Sequence, residues 1–220
     1  MRTVTTIAAA VSAVMACASE SPPVSVGAKV YVADEEDGAL SVIDHATRRR
    51  LRVIDLTERS GSAVTRYTLH NVKAAPDGSS VWVTATPRAD DHDGGHGGSH
   101  GNEPVEQLVV LDPRSDTVLA RIPVGAGLHL AHVVLDPASR YAYASANEAH
   151  QIVRVDARTW QVVNRYDLGA GRGPHGMRFC GGRLYVANME GRSLSVVDPA
   201  GGAVREVPVG GVAVQTACAL

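Results

Sequence analysis

A unit of about forty residues recurs four times along this chain, and no other feature constrains the fold so tightly. Each unit carries an aromatic residue flanked by apolar ones, then a strand ending in Asp, then a polar turn. The aromatics are Tyr31, Trp82, Tyr143 and Tyr185, and the aspartates are Asp44, Asp112, Asp156 and Asp198. The aromatic-to-Asp distance is 13 residues in three units and 30 in the second, so the second carries an insertion of 17. Self-similarity with a period of 42 residues, from Tyr143 to Tyr185 and from Asp156 to Asp198, is the mark of a stacked β array.

Strands follow from runs rich in Val, Ile, Leu and Tyr bounded by Gly, Asp and Pro turns. The first unit gives three, at 29–33, 39–44 and 51–56. The others give four each: 70–75, 81–85, 107–112 and 118–124; then 129–135, 141–145, 151–156 and 162–168; then 175–179, 184–188, 194–198 and 203–209. No stretch shows helical periodicity. The Asp closing each third strand is expected to bond the amides of its own turn. In Asp44-His45-Ala46-Thr47, Asp112-Pro113-Arg114-Ser115 and Asp156-Ala157-Arg158-Thr159 a hydroxyl follows three residues on, and in Asp198-Pro199-Ala200-Gly201 a Gly takes its place. These carboxylates read as structural.

Ala74-Ala75-Pro76-Asp77-Gly78, Leu184-Tyr185-Val186-Ala187-Asn188 and Leu194-Ser195-Val196-Val197-Asp198 resemble the YVTN-type β-propeller repeats of exported bacterial and archaeal proteins. The resemblance spans nearly all of 28–218. It implies an all-β propeller of four-stranded antiparallel blades, about four of them in this chain, as part of a seven-bladed ring. The first unit lacks an innermost strand, while 212–218 reads as an innermost strand without a blade. Two expectations stay open: 212–218 closes the ring on 29–56, or the chain is a piece of a longer propeller.

The N-terminus stands apart from the repeats. Arg2 precedes an apolar, small-residue stretch to Ala16, too short to span a bilayer and shaped like a secretory signal. Val14-Met15-Ala16-Cys17 resembles a lipobox, which makes Cys17 a lipidation site; Ala16-Cys17-Ala18 also fits a small-x-small cleavage site. The organisation read from the sequence is a signal at 1–16, a polar tether at 17–27 and propeller repeats at 28–220, with the insertion at about 87–105. The expected location is the periplasm or cell surface, with membrane contact through the lipid anchor only. The net charge of -2 argues against nucleic acid, which calls for a basic stripe. Cys180 and Cys218 fall in consecutive repeats. Packed sheets lie about 10 Å apart and a disulfide needs Cα atoms within about 7 Å, so two buried free thiols are expected.

Nine His stand against one Phe, and they form two groups. The insertion holds His92, His96 and His100 at spacing four, interleaved with Asp90, Asp91 and Asp93 and many Gly. It reads either as a solvated insertion or as a tract that gathers a metal ion, copper or zinc. The second group is His70, His129 or His132, and His175, each near the start of an innermost strand, where a propeller turns toward its central channel. A ring of channel histidines is similar in position to the copper-binding propeller of nitrous oxide reductase. In register, His132 is offset by one from His70, which predicts opposite faces.

No nucleophile elbow, zinc-protease helix motif or phosphate loop is present. A lactonase-like hydrolase calls for channel carboxylates, and every Glu reads as tether, loop or outer strand. The sequence therefore predicts an exported binding or scaffold propeller without catalytic activity, presenting its top face to a protein or small molecule. The alternatives are a periplasmic copper- or zinc-handling protein and, third, the lactonase-like hydrolase.

Overall fold

A computed structural model describes residues 27–88 and 105–219. The signal, most of the tether, Cys17 and the insertion residues Asp90, Asp91, His92, Asp93, His96 and His100 lie outside the described residues. Those described form strands and no helix.

Each repeat is an antiparallel sheet. The first holds β1 (Lys29–Asp34), β2 (Ala39–Asp44) and β3 (Arg50–Asp55), in that order. A short hairpin of β4 (Glu58–Ser60) and β5 (Ala63–Thr65) follows, which the sequence pattern does not predict. The second sheet contains β6 (Tyr67–Thr68), β7 (Val72–Ala74), β8 (Val81–Pro87), β9 (Glu106–Asp112) and β10 (Thr117–Gly125). Both β6 and β7 pair with β8, so its inner strand is broken at Leu69, His70 and Asn71. The third is β11 (Leu130–Leu135), β12 (Tyr141–Ala146), β13 (Gln151–Asp156) and β14 (Gln161–Asp167). The fourth is β15 (Pro174–Cys180), β16 (Arg183–Asn188), β17 (Ser193–Val197) and β18 (Val204–Pro208).

The repeat aromatics hold neighbouring sheets together. Trp82 is fully buried and lies 5.6 Å, ring to ring, from Trp160 of the next sheet; Tyr143 lies 5.8 Å from Phe179 of the sheet after that. Tyr31 donates to Asp116 of the second sheet at 2.6 Å, and Lys29 Nζ meets the same carboxylate at 2.9 Å. At the last junction Arg154 lies 3.6 Å over the Tyr141 ring and donates to Pro199 O at 3.0 Å. Such cation–aromatic contacts gain when desolvated.

The closing aspartates do what their spacing predicts. Asp44 accepts from Thr47 N at 2.6 Å, Asp112 from Arg114 N at 2.8 Å, Asp156 from Arg158 N at 2.9 Å and Asp198 from Ala200 N at 3.0 Å. These backbone donors hold all four carboxyls below their ordinary pKa. Four residues after each Asp the chain turns left-handed, at Arg48 (φ 59°), Asp116 (59°), Trp160 (60°) and Gly202 (75°).

Two expectations about the chain's end are corrected. Residues 212–218 form no strand and do not complete the first sheet; Val214 O accepts from Gly176 N of β15 at 3.0 Å, and Thr216 Oγ1 donates to Tyr185 O at 3.3 Å. Cys180 and Cys218 are joined in a disulfide, with Cα atoms 6.3 Å apart. The face-to-face sheet spacing does not apply, because the terminal segment runs beside β15, where inner strands converge.

Candidate metal centre

Three inner-strand starts meet at one point. His70 sits in the break between β6 and β7, His132 on β11 and His175 on β15. Each offers a ring nitrogen, and these nitrogens lie within 4.8 Å of one another. Among the described residues this is the one such cluster of three His, Cys or carboxylate side chains. The rings stand edge to face, with centroids 5.5 Å apart for His70–His132, 5.3 Å for His70–His175 and 4.7 Å for His132–His175. The register offset that predicts opposite faces for His132 is real, but its consequence is reversed. β11 pairs Leu130 with Ala146 and then Val133 with Ala144. The irregularity re-aims the intervening side chains, as bulges do, and β15 carries the same one between Pro174 and Met177, around His175. His129 stays outside the cluster, its ring 3.9 Å from Glu148. His150 accepts from Gly173 N at 3.2 Å in a turn.

Hydroxyls on the second strands fix the spacing between inner strands. Thr84 Oγ1 accepts from Asn71 N at 2.9 Å and donates to Ala131 O of the next sheet at 3.2 Å. One repeat later, Ser145 Oγ accepts from His132 N at 2.9 Å and donates to His175 O at 2.8 Å. The fourth repeat has Ala187 at this place. Ser145 thus links the backbones of two cluster residues through one oxygen.

The outer ring nitrogens decide the protonation of the inner ones. His70 Nδ1 lies 3.1 Å from Glu35 Oε1, and His175 Nδ1 lies 3.1 Å from Val214 O. A carboxylate and a carbonyl only accept, so both Nδ1 atoms carry hydrogen. Both Nε2 atoms of the neutral rings are then bare lone pairs, and they face each other at 3.3 Å. Two lone pairs turned on one point at that distance are an arrangement that a shared proton or a metal ion would bridge. Tetrahedral zinc bonds of about 2.0–2.1 Å set ligand nitrogens about 3.3 Å apart. His132 Nε2 is 3.2 Å from the Gln215 side-chain nitrogen, which can donate to it. Burial first, then the neighbouring His175, His70 and Arg178, push His132 down to about 4. Burial lowers His175 as well, against the opposing pull of its Val214 bond. The neutral form of His132 therefore persists into mild acid.

Glu35, in the β1–β2 turn, is the residue that sequence reasoning misses. The expectation that every Glu stands away from the channel fails here, because the turn of the first sheet reaches across to the second. A carboxylate on the far nitrogen of a metal-binding His fixes its tautomer and raises its basicity. The one sequence signal available was Glu35 and Glu36 together in an otherwise ordinary turn.

No family model matches the sequence, and no curated protein matches it. Solved structures do match in fold. A catalytically inactive virginiamycin B lyase from Staphylococcus aureus, with quinupristin, superposes with a TM-score of 0.61 at 11% identity, over 83% of this chain and 52% of that one. A Bacteroides fragilis protein assigned as a 6-phosphogluconolactonase gives 0.56 at 15% identity, over 81% and 53%. The WD40 repeats of RRP9 give 0.53 at 16% identity, over 73% and 44%. The fold is that of a β-propeller. The chain spans about half the length of these propellers, and identities this low carry the fold and no activity.

Proposed function

We propose that this chain is an exported metal-binding propeller in which His70, His132 and His175 hold one transition-metal ion, zinc or copper, at the start of the inner strands. The observation that carries the reading is the 3.3 Å approach of the His70 and His175 Nε2 atoms, with both Nδ1 atoms turned to acceptors. Three neutral imidazoles suit zinc and copper alike. Glu35 and Val214 O orient two of the three rings from outside. Metal bound there would be held by one ligand from each of three blades, so holding the ion and fixing the arc are one event.

Export is supported by the signal-like sequence at 1–16 and by the Cys180–Cys218 disulfide, which suits an oxidising compartment. The lipobox-like segment ending in Cys17 and the YVTN-type repeats belong to the same reading. The His-rich insertion would add a second, weaker metal tract.

Calorimetric titration of the full chain with Zn²⁺ and Cu²⁺ tests this, run beside a variant with His92, His96 and His100 replaced by Ser. The variant should keep one tight site, and His132→Ala in the same background should lose it. If the loop variant binds no metal, the centre is abandoned and the tract alone explains any uptake.

A further inference from the structure

The cluster has a fourth side, built by a segment that belongs to no blade. Residues 211–219 run past β15 without forming a strand, yet they supply two of the contacts on the histidines. Val214 O receives His175 Nδ1 at 3.1 Å, and the Gln215 amide nitrogen stands 3.2 Å from His132 Nε2. The approach depends on Gly176. A Cβ there would lie 2.2 Å from Gln215 Oε1 and 2.6 Å from Val214 O, so the amide fills a slot that exists only because residue 176 lacks a side chain. Three anchors hold the segment: the Gly176 N to Val214 O bond at 3.0 Å, the Thr216 to Tyr185 O bond at 3.3 Å and the Cys180–Cys218 disulfide. Only the disulfide is covalent.

Resting on the metal-binding reading above, we propose that Gln215 is the fourth protein donor to the metal, and that the Cys180–Cys218 disulfide is what keeps it there. In the metal-free protein the amide nitrogen donates to the lone pair of His132. A half-turn of the terminal amide exchanges its nitrogen and oxygen, presenting Oε1, a good ligand atom, to an ion held by the three rings. Three imidazoles and one amide oxygen complete four-coordination without water. This places the centre with closed metal sites and away from those that leave a position open for substrate. A tail freed from Cys180 carries Gln215 and Val214 away together, removing one donor and the partner that fixes the His175 tautomer.

The experiment is copper(II) titration of the full chain, with His92, His96 and His100 replaced by Ser in every sample, followed by electron paramagnetic resonance, comparing the otherwise wild-type protein with Gln215→Ala, Gln215→Glu and Cys218→Ser. The expected result is that Gln215→Ala and Cys218→Ser each weaken binding about tenfold or more and yield spectra that change on adding azide, which fills the vacated position. Gln215→Glu, which restores an oxygen donor, should keep both affinity and azide resistance. Copper bound by the otherwise wild-type protein with azide sensitivity equal to that of Gln215→Ala would overturn the fourth-donor assignment and leave the three-histidine site standing. Absence of copper from the otherwise wild-type protein would overturn both.

Discussion

The carboxylate of Glu106 accepts the backbone N–H of Leu128 at 2.6 Å, across 22 residues, and with it the N–H groups of His129 and Leu130 at 2.7 Å each. Its second oxygen also takes the Thr86 hydroxyl at 2.8 Å. The side chain is buried at the start of β9, so a charge that would otherwise be costly is met by four donors. The loop it gathers leads directly into β11 and His132.

Glu106→Gln is therefore expected to destabilise the protein by about 3 kcal/mol, since it turns an amide N–H₂ toward backbone donors and removes charge-assisted bonds. Chemical denaturation checks this, and metal affinity should fall in parallel because His132 follows the loop. A change below about 0.5 kcal/mol would show that solvent replaces the carboxylate.

Asp116 clamps the first blade to the second, with its side chain 2% exposed and Lys29 at 11%. Asp116→Asn keeps the left-handed turn, which Asn tolerates, but leaves the Lys29 ammonium without its counter-charge. A loss of about 3 kcal/mol is expected, with early exchange of β1–β3 amides by hydrogen–deuterium measurement. Uniform loosening of all four blades would instead place the cost elsewhere.

Gly176→Ala should push the 214–215 backbone away from β15, because the nearest neighbours of the new methyl include the Val214 carbonyl. Metal affinity is expected to drop at least as far as in Gln215→Ala, while denaturation of the remaining sheet changes little. Unaltered affinity would mean that the tail re-seats around the methyl.

In chelator-treated protein His132 should titrate near 4, well below an unfolded histidine at about 6.5. The unfolded chain then takes up the proton first. The stability held by the neutral ring is complete above about pH 6.5 and is lost as pH falls toward 4. His175 acts in the same direction. Imidazole carbon-proton NMR shifts read this directly, and a His132 midpoint at or above 6.5 would contradict the buried, neutral ring.

The blades were legible in the sequence because aromatic spacing and Asp turns are local. Trp82, Tyr143 and the four aspartates sit where their period puts them. The left-handed position after each Asp turn was not, since Arg48, Asp116, Trp160 and Gly202 share no chemistry. For the centre, His70, His132 and His175 could be named from their place at strand starts. Their convergence could not, because it depends on an irregular β11 and on Thr84 and Ser145 reaching into the next blade. Glu35 lay further out of reach. Gln215 could be placed beside the histidine ring from its position in the chain, but not its approach from a tail that forms no strand. Each arrives from a turn or tail whose path is set by tertiary packing alone, and the same path joins Cys180 to Cys218.

One histidine from each of three successive blades makes the cluster a gauge of curvature. Stacked sheets lie about 10 Å apart, so a hinge of about 10° at one blade boundary moves a ring by about 2 Å, against a metal-bond tolerance near 0.2 Å. With the proposed ion in place, small changes in how steeply the blades wind about their axis, whatever imposes them, would be converted into large changes in affinity. The same ion would in turn permit only one pitch of winding.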